Sequence, residues 1–418
     1  MKKFKFSMLL SVIIVLSVVL MACSNGGKST TSKDTGKKEI LLWTSMTGPD
    51  GDLVQKNIDQ YNATNPEYKV KMVRIEGNAF NNKLATVARS RQGVPDVALI
   101  ASENVATYNS QGVLDSWDPY LKGTGISADK YVKAAWDVGT VKGKQYGIPA
   151  TLGSWVMYYN KNLVDKYVPG AADDGVITYE EIEKAGAAAK KDGILAMGFS
   201  WGMQNFSNLY LQMGGKFSEN GKPTIDNETS VATVEEFKKL LDQGYMNKKG
   251  EDTTKLFKTG KIIFMPEGTW MLSTMQEIKD FTWGETFTPQ WDANKIIQGS
   301  GADQFALFKS KDRNDAKVKA TVKFIDWLRN NQTEWIKSGA NPTALDMLNN
   351  TEYTKMPQSF LLKTDKGQKA ITIVTDPGYS YIFGEIDNSL WDMIQGKVAI
   401  KDQLKKIQQT VNDKMANQ

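Results

Sequence analysis

The sequence of 418 residues contains no histidine and a single cysteine, Cys23. Without histidine, the chain cannot form a Ser-His-Asp or Cys-His nucleophile pair, a histidine-ligated metal site or a histidine pH switch. One cysteine excludes an internal disulfide framework, and a lone thiolate cannot build a cysteine-rich zinc site. These absences remove common routes to catalysis, and we expect no catalytic residue, no cofactor and no metal.

The chain also has little excess charge of one sign. Lys and Arg total 52 against 47 Asp and Glu, which gives a formal net charge of +5. Three of those lysines lie in residues 1–22, so the remainder of the chain is close to neutral. Nucleic-acid binding needs a concentrated basic face, and we therefore expect no nucleic-acid partner.

The first 38 residues have the composition of an export and tethering segment. A short basic start precedes the apolar run at 8–22, which is shorter than the roughly 20 residues of a spanning helix and typical of a signal peptide. The sequence L-M-A-C at 20–23 resembles the bacterial lipobox, in which the cysteine becomes the lipidated first residue. We therefore predict a signal peptide at 1–22, a lipid anchor on Cys23 at the extracellular face of the cell membrane, and a flexible tether to residue 38. An uncleaved anchor with an idle cysteine is the alternative.

Apolar runs and helical stripes alternate along the rest of the chain. Runs at 39–43, 68–75 and 94–100 predict buried strands, and apolar residues at helical spacing lie between them. This order is typical of a parallel sheet with helical crossovers, so the fold class is α/β. Capping-box patterns at Thr178 and Thr233 predict helix starts. Because single cores seldom grow beyond about 250–300 residues, we expect two lobes.

Six short motifs then follow one another in a characteristic order. They are a first strand ending at Trp43, Y-N-A-T-N-P at 61–66, G-V-P-D-V at 93–97, Q-G-V-L at 111–114, Y-G-I-P at 146–149 with M-Y-Y-N-K at 157–161, and F-K-T-G-K at 257–261 with E-G-T-W at 267–270. In this order they resemble the extracellular solute-binding proteins of carbohydrate ABC transporters, the group that includes the maltodextrin-binding proteins.

The resemblance implies a periplasmic-binding-protein-like fold, in which a multi-strand hinge joins two α/β lobes around a ligand cleft. It places lobe one at 39–150 plus 300–345 and lobe two at 151–299 plus 346–418. It also implies an oligosaccharide ligand, a membrane permease as partner and a monomeric state.

A sugar cleft should combine aromatic rings, which stack on C–H faces, with planar polar side chains that bind hydroxyl groups. Ligand-binding residues in open α/β sheets gather beyond the carboxyl ends of strands. Strand ends and the resemblance together predict these ligand-binding residues: Trp43, Ser45, Asn78, Glu103, Asn104, Thr151, Trp155, Trp201, Asn205, Glu267, Trp270, Asp303, Tyr379 and Tyr381. The resemblance assigns an acidic sugar-binding role to Glu103, a stacking role to Trp270 and a loop position to the two tyrosines. The alternative for Glu103 is a charge at the start of the next helix, and Trp155 could instead pack under the hinge.

The sequence leaves three functions to compare. The first is a tethered receptor that captures an oligosaccharide, such as a glucan fragment, by closure of its lobes and delivers it to the permease. The second is a secreted glycoside hydrolase, which needs two carboxylates at a defined separation. The third is a receptor for a non-sugar solute. The ordered motifs favour the first.

Overall fold

The computed structural model describes residues 38–417, so the predicted signal peptide, Cys23 and all but the last residue of the tether lie outside the described residues. Strands and helices alternate through the rest of the chain. The strands are β1 (Glu39–Thr44), β2 (Lys69–Arg74), β3 (Val97–Ile100), β4 (Leu114–Asp115), β5 (Thr140–Val141), β6 (Lys144–Gln145), β7 (Gly147–Pro149), β8 (Gly153–Asn160), β9 (Leu195–Met197), β10 (Ser218–Glu219), β11 (Lys222–Pro223), β12 (Ile262–Gly268), β13 (Trp283–Phe287), β14 (Gln298–Gly301), β15 (Gln304–Phe308) and β16 (Ile371–Thr372).

The α-helices are shorter on average in the C-terminal part of the chain. They are α1 (Gly48–Ala63), α2 (Gly77–Ser90), α3 (Ser102–Ser110), α4 (Asp118–Leu121), α5 (Lys133–Val138), α6 (Lys161–Tyr167), α7 (Tyr179–Ala189), α8 (Gly202–Gln212), α9 (Glu228–Asp242), α10 (Thr253–Lys258), α11 (Leu272–Gln276), α12 (Asp315–Arg329), α13 (Thr333–Lys337), α14 (Thr351–Lys355), α15 (Phe360–Lys363), α16 (Asp365–Ala370), α17 (Tyr379–Ile394) and α18 (Ile400–Ala416). None of the helices described is both long enough and apolar enough to cross a membrane.

The first sheet has the strand order β2-β1-β3-β15-β4, and β7 also pairs with β15. Strand β1 is parallel to β2 and β3, with the crossover helices α1 and α2 between them, whereas β15 runs antiparallel to β3. Helices cover both faces, since Ile58 and Phe324 pack on one side and Phe80 and Val105 on the other. The predicted parallel sheet with helical crossovers is confirmed here.

The second sheet has the order β16-β14-β8-β12-β9, with β13 paired to β8. The eight-residue strand β8 is its centre, flanked by β12 and β13 in antiparallel pairing. One large core buries Met197, Phe206, Phe237 and Ile386, which come from β9, α8, α9 and α17. The two sheets with their helices form two lobes, as the resemblance implied.

Two of the three chain crossings between the lobes lie side by side. Strand β7 of the first sheet leads through residues 150–152 into β8 of the second, and β14 of the second leads through Ala302 and Asp303 into β15 of the first. The Ala150 amide donates to the Asp303 carbonyl at 2.8 Å, which fixes one crossing against the other. The exact residue limits predicted for the lobes stay a prediction.

One of the two predicted capping boxes is correct. The Thr178 hydroxyl accepts from the Glu181 amide at 3.2 Å, and the Glu181 carboxylate accepts from the Thr178 amide at 2.8 Å, as the pattern requires. The prediction at Thr233 is wrong, because α9 begins five residues earlier with Asn227 as its N-cap. Thr233 lies inside that helix, where its hydroxyl donates to the carbonyl one turn before it.

Candidate functional site

A cavity of about 260 Å³ lies where the two sheets face each other, next to the chain crossings. The first lobe contributes the first turns of α1 and α3 and helix α13. The second lobe contributes the start of β8, the residues directly after β12, one face of α8, and α17. The chain crossings complete the wall. Six of the predicted ligand-binding residues line it: Glu103, Thr151, Trp155, Trp270, Asp303 and Tyr379.

The first-lobe wall carries three carboxylates from three separate elements. Asp50 lies in the first turn of α1, Glu103 in the first turn of α3, and Asp303 in the β14–β15 crossing. Asp303 accepts a hydrogen bond from the Thr151 hydroxyl at 2.7 Å. Burial raises the Asp303 pKa to about 7, and the nearby charges of Glu103 and Asp50 add to the shift. Enclosure by the cleft walls also raises the pKa of Glu103 and of Asp50.

The position of Glu103 combines the two alternatives considered for it. It is in the first turn of a helix, where a negative charge is favourable, and it also lines the cavity. The Ser102 hydroxyl donates to it over 3.4 Å, a long contact that leaves the carboxylate available to a ligand.

The second-lobe wall is built around three tryptophans. The rings of Trp155 and Trp270 lie 5.3 Å apart between centroids, and Trp201 lies 6.1 Å from each. Trp155 is 3% exposed, whereas Trp201 is 52% exposed and stands outside the enclosed part of the cavity. Aromatic rings in edge contact of this kind give a rigid apolar surface that polar ligands with C–H faces can cover.

Two glycines make room for the Trp270 ring. A Cβ atom at Gly268 would lie 2.1 Å from a ring carbon of Trp270, and one at Gly153 would lie 3.4 Å from it. Gly268 is paired with Trp155 across β12 and β8, and Trp270 lies in the 3-10 turn that directly follows β12, so the two tryptophans are held close together. The glycine of the E-G-T-W motif therefore has a steric function that is directly visible in the site.

Glu267 and Asn205 support the Trp201 loop from beneath. The buried Glu267 carboxylate accepts from the Ser200 hydroxyl at 2.6 Å, and burial raises its pKa while that bond and the Trp201 indole lower it. The Asn205 amide donates to the Ser200 carbonyl. Trp201 itself has a φ of 51° and a ψ of 65°, a left-handed conformation that is strained for a bulky residue. Neither Glu267 nor Asn205 lines the cavity, and direct contact of either with a ligand stays a prediction.

One face of α8 adds polar groups that are not among the predicted ligand-binding residues. Gln204, Ser207, Asn208 and Leu211 line the cavity at helical spacing. The side-chain oxygen of Asn208 accepts a hydrogen bond from the Gly299 backbone amide at 2.8 Å, which joins α8 to β14. The sequence contained a signal for this face, because Gln204, Ser207 and Asn208 are polar residues one turn apart in a helix that packs in an apolar core. Asp50, Trp335 and Ser338 line the cavity as well, and nothing in their local sequence marked them.

Tyr379 and Tyr381 lie in the first turn of α17, so the prediction of a loop there is wrong. The Tyr379 hydroxyl and the Ser207 hydroxyl are 3.1 Å apart, which joins α17 to α8 within the cavity wall. Tyr381 does not line the cavity; its hydroxyl accepts from the Gln111 side chain at 3.2 Å.

The structure places the remaining predicted residues away from the enclosed space. Trp43 is 5% exposed in the core of the first lobe, with the Lys83 ammonium 4.4 Å from its ring centroid. Ser45 follows β1 and Asn104 lies in α3, but neither lines the cavity. Asn78 is in the first turn of α2, and its side chain lies outside the described residues.

All the charged side chains that line the described cavity are acidic. The described cavity wall contains carboxylates but no lysine or arginine, and no described group of acidic side chains could together hold a metal ion. The arrangement can therefore bind hydroxyl or amino groups through carboxylate and amide oxygens, and apolar faces through indole rings.

A cavity enclosed by two α/β lobes, with rings on one wall and carboxylates on the other, defines a two-lobed ligand-binding protein. The chain belongs to the family described as bacterial extracellular solute-binding protein, whose model matches residues 56–360. This confirms the class of protein indicated by the ordered motifs.

Individual relatives extend this comparison. The chain is 24% identical over 443 aligned positions, covering 99% of both proteins, to a maltooligosaccharide ABC transporter solute-binding lipoprotein of Streptococcus pneumoniae. It is 26% identical over 255 residues to an arabinooligosaccharide-binding protein of Bacillus subtilis, a match that covers 57% of this chain and 54% of that protein. The chain thus spans about half the length of that relative. Among solved structures, the Listeria monocytogenes ABC substrate-binding protein in complex with cycloalternan matches with a TM-score of 0.74 at 21% identity, over 90% of this chain and 99% of that chain. At this identity the likeness concerns the fold alone, and it agrees with the predicted periplasmic-binding-protein-like architecture.

Proposed function

We propose that this chain is the substrate-binding lipoprotein of an ABC importer, and that it captures an oligosaccharide between its lobes and delivers it to the membrane permease. The observation that carries the proposal is the pairing of Trp155 and Trp270 with the carboxylates of Glu103 and Asp303 across one cavity. Indole rings bind the C–H faces of sugar rings, and carboxylates accept hydrogen bonds from the hydroxyl groups around them.

The charge of the cavity supports a ligand without anionic groups. A phosphate or carboxylate needs cationic side chains or several free backbone amides to offset its desolvation, and the described wall offers no lysine or arginine. The names of two relatives, a maltooligosaccharide receptor and an arabinooligosaccharide receptor, support an oligosaccharide in particular. No catalytic step is part of this proposal.

Capture follows from differential affinity for two arrangements of the lobes. A ligand that contacts Asp303 and Trp270 at the same time binds best when the walls are close, so it shifts the population toward the closed form. The closed receptor then presents a surface that differs from that of the open one, which gives the permease a means to select loaded receptors.

A fluorescence titration tests the sugar-binding part. Wild-type protein is titrated with a panel of α- and β-linked glucose and arabinose oligosaccharides, and we expect a saturable change in tryptophan fluorescence with at least one of them. Trp270→Ala should weaken that binding by at least about tenfold, because the ring contributes buried contact area. Trp291→Ala is the matched control, since that ring is 46% exposed and packs near Tyr179 outside the cavity. Absence of a saturable signal and of a thermal shift across the panel would refute the proposal.

The lipid anchor is tested separately. The lipobox-like L-M-A-C sequence and the lipoprotein named among the relatives support lipidation of Cys23. Cells expressing the full chain are labelled with radioactive palmitate, and the label should appear in wild-type protein and disappear in Cys23→Ala. The variant should move from the membrane fraction to the medium or periplasmic fraction; if it stays membrane-bound, an uncleaved anchor is the correct alternative.

A further inference from the structure

We propose that the captured oligosaccharide carries a protonated amino group, as an amino sugar does, and that this group binds at the three-carboxylate wall of Asp50, Glu103 and Asp303. The inference rests on the proposed function and specifies its substrate class. It starts from the charge of the cavity and not from the identity of any relative.

The three carboxylates converge on one cavity without a counter-charge. They come from α1, α3 and the β14–β15 crossing, far apart in the sequence and gathered by the first sheet. None of the three forms an ion pair with a described residue. Glu103 and Asp303 are half-buried and Asp50 lies at the exposed rim, whereas most other half-buried acids are paired, for example Asp96 with Lys317 at 3.1 Å. The negative charges are therefore left for a ligand to offset.

Binding of a positive charge beside these carboxylates should be favourable. One Asp303 oxygen accepts from Thr151, and the other has no hydrogen-bond partner among the described residues. Burial raises the pKa of Asp303, and the like charges of Glu103 and Asp50 raise it further, as expected for acids that line one cavity. Enclosed charges of one sign are costly unless an opposite charge is bound beside them. A hydroxyl group would give each carboxylate a hydrogen bond, whereas an ammonium group would also remove the repulsion.

The cation must be organic and part of a larger molecule. No described set of acidic side chains is close enough together to hold a metal ion, so the charges suit a bulkier group. Across the cavity, Trp155 lies in the wall, and its buried indole nitrogen has no hydrogen-bond partner among the described residues, so it is a donor that a ligand oxygen could satisfy. Trp270, which is 37% exposed, also offers a ring face, and such faces attract C–H groups and cations. One molecule with ring oxygens, C–H faces and a basic nitrogen satisfies all of these groups.

Matched pairs of probes test the inference by isothermal titration calorimetry. Each pair has one cationic and one neutral member of similar size: glucosamine tetramer with its fully N-acetylated form, and acarbose, which has a basic linking nitrogen, with maltotetraose. We expect the cationic member of at least one pair to bind about tenfold or more tightly, the range for adding a hydrogen bond between charged groups. Its affinity should fall with added salt more steeply than that of the neutral member.

Two variants place the effect at the carboxylates. Asp303→Asn and Glu103→Gln keep the size of the side chain but remove its charge. Both members should lose affinity, because these carboxylates also accept from sugar hydroxyl groups, and the cationic member should lose about tenfold more, so that the preference for it falls by about tenfold. Asp312→Asn is the matched control, because Asp312 is an exposed acid on the same lobe that does not line the cavity. Circular dichroism and the unfolding temperature establish that each variant is folded.

The outcomes separate this inference from the proposed function. If neutral members bind as tightly as cationic ones, the amino-group inference is wrong and the oligosaccharide receptor stands. If cationic selectivity persists unchanged in both carboxylate variants, the assignment to this wall is wrong. If no member of any pair binds, and none of the wider panel binds, both proposals fail together.

Discussion

The hydroxyl oxygens of Thr107 and Ser380 are 3.0 Å apart, and they join α3 of the first lobe to α17 of the second. One turn further along α3, the Gln111 side chain donates to the Tyr381 hydroxyl at 3.2 Å. The lobes thus touch through direct hydrogen bonds next to the cavity that they enclose. Both contacts run from one lobe to the other, so a movement that separated these two helices would break them.

Removing this contact should weaken ligand binding without changing the cavity wall. We expect Thr107→Ala or Ser380→Ala to raise the Kd of a bound oligosaccharide by roughly twofold to tenfold, the range for one lost hydrogen bond, because the closed form loses stability relative to the open form. Calorimetric titration measures the effect. Thr86→Ala, an exposed threonine on α2 of the same lobe, should leave the Kd unchanged.

A cross-link at the same place gives an independent check. In a Cys23→Ser background the chain has no other cysteine, so a Thr107→Cys, Ser380→Cys double variant contains one pair only. Oxidation in the presence of ligand should trap the ligand and slow its release, and a reductant should restore release. Equal release rates before and after oxidation would show that these helices do not close over the ligand.

Filling the space beneath Trp270 should damage the site while every side chain of the wall is retained. Gly268→Ala places a methyl group where the ring lies, 2.1 Å from a ring carbon, so the ring must move from its position beside Trp155. We expect oligosaccharide affinity in the fluorescence titration to fall by at least about tenfold.

Gly384→Ala is the control for that substitution. Its added Cβ meets no atom within 4 Å in the middle of α17, so binding should be unchanged and the helix should gain about 0.5–1 kcal/mol. A similar loss of affinity in both variants would contradict the steric role assigned to Gly268.

Glu285 should make the protein less stable as the pH rises. It lies on β13 opposite Tyr158, and neither of its buried carboxyl oxygens has a hydrogen-bond partner among the described residues. Burial raises its pKa from 4.5 to about 8. Between those two values the folded chain holds a proton that the unfolded chain has lost. The free energy of unfolding therefore falls as pH rises through this window, by up to about 1.4 kcal/mol per pH unit from this group.

Urea unfolding at pH 5, 7 and 9 measures this contribution. Glu285→Gln should flatten the dependence and be more stable than wild type at pH 9, where the wild-type carboxylate is charged in both states. Glu219→Gln, at an exposed position in the β10–β11 hairpin, should keep the wild-type slope. If the two variants have the same slope, burial of Glu285 does not control this part of the pH dependence.

The Thr178 capping box should contribute measurably to stability. Thr178→Ala removes the acceptor for the Glu181 amide at the start of α7 and should lower the free energy of unfolding by about 1 kcal/mol. Thr86→Ala, at an exposed position inside α2, should have a smaller effect. Thermal unfolding of both variants makes the comparison, and equal losses would argue against a specific capping role.

Local patterns predicted the architecture well because they report on short-range physics. The apolar runs before α1 and α2 became β1 and β2, and the Thr178 box began a helix, since each depends on residues within a few positions of one another. The pattern at Thr233 failed for the same reason. A Thr with Glu three residues later satisfies the motif equally well in the middle of a helix, and only the earlier cap at Asn227 decides the start.

The candidate site was predicted in part. Glu103, Thr151 and Asp303 follow or link strands, and the carboxyl ends of strands meet at the cleft, so their position in the sequence was informative. Trp43 lies near the carboxyl end of β1 but is buried in the core, because α2 and α3 cover that face of the sheet. The order of the strands in the sequence does not determine which face of the sheet a given helix will cover.

By itself the sequence determined that this is an α/β chain without histidine or disulfide chemistry, and that aromatic and acidic residues recur at strand ends. Tertiary structure decided which of them meet. Asp50, Glu103 and Asp303 line one cavity only because the first sheet brings the ends of its strands to one edge. Trp270 forms part of the cavity wall only because glycines on two paired strands leave room for its ring. Such properties arise from distances between residues remote in sequence, and electrostatic and steric energies depend on those distances alone.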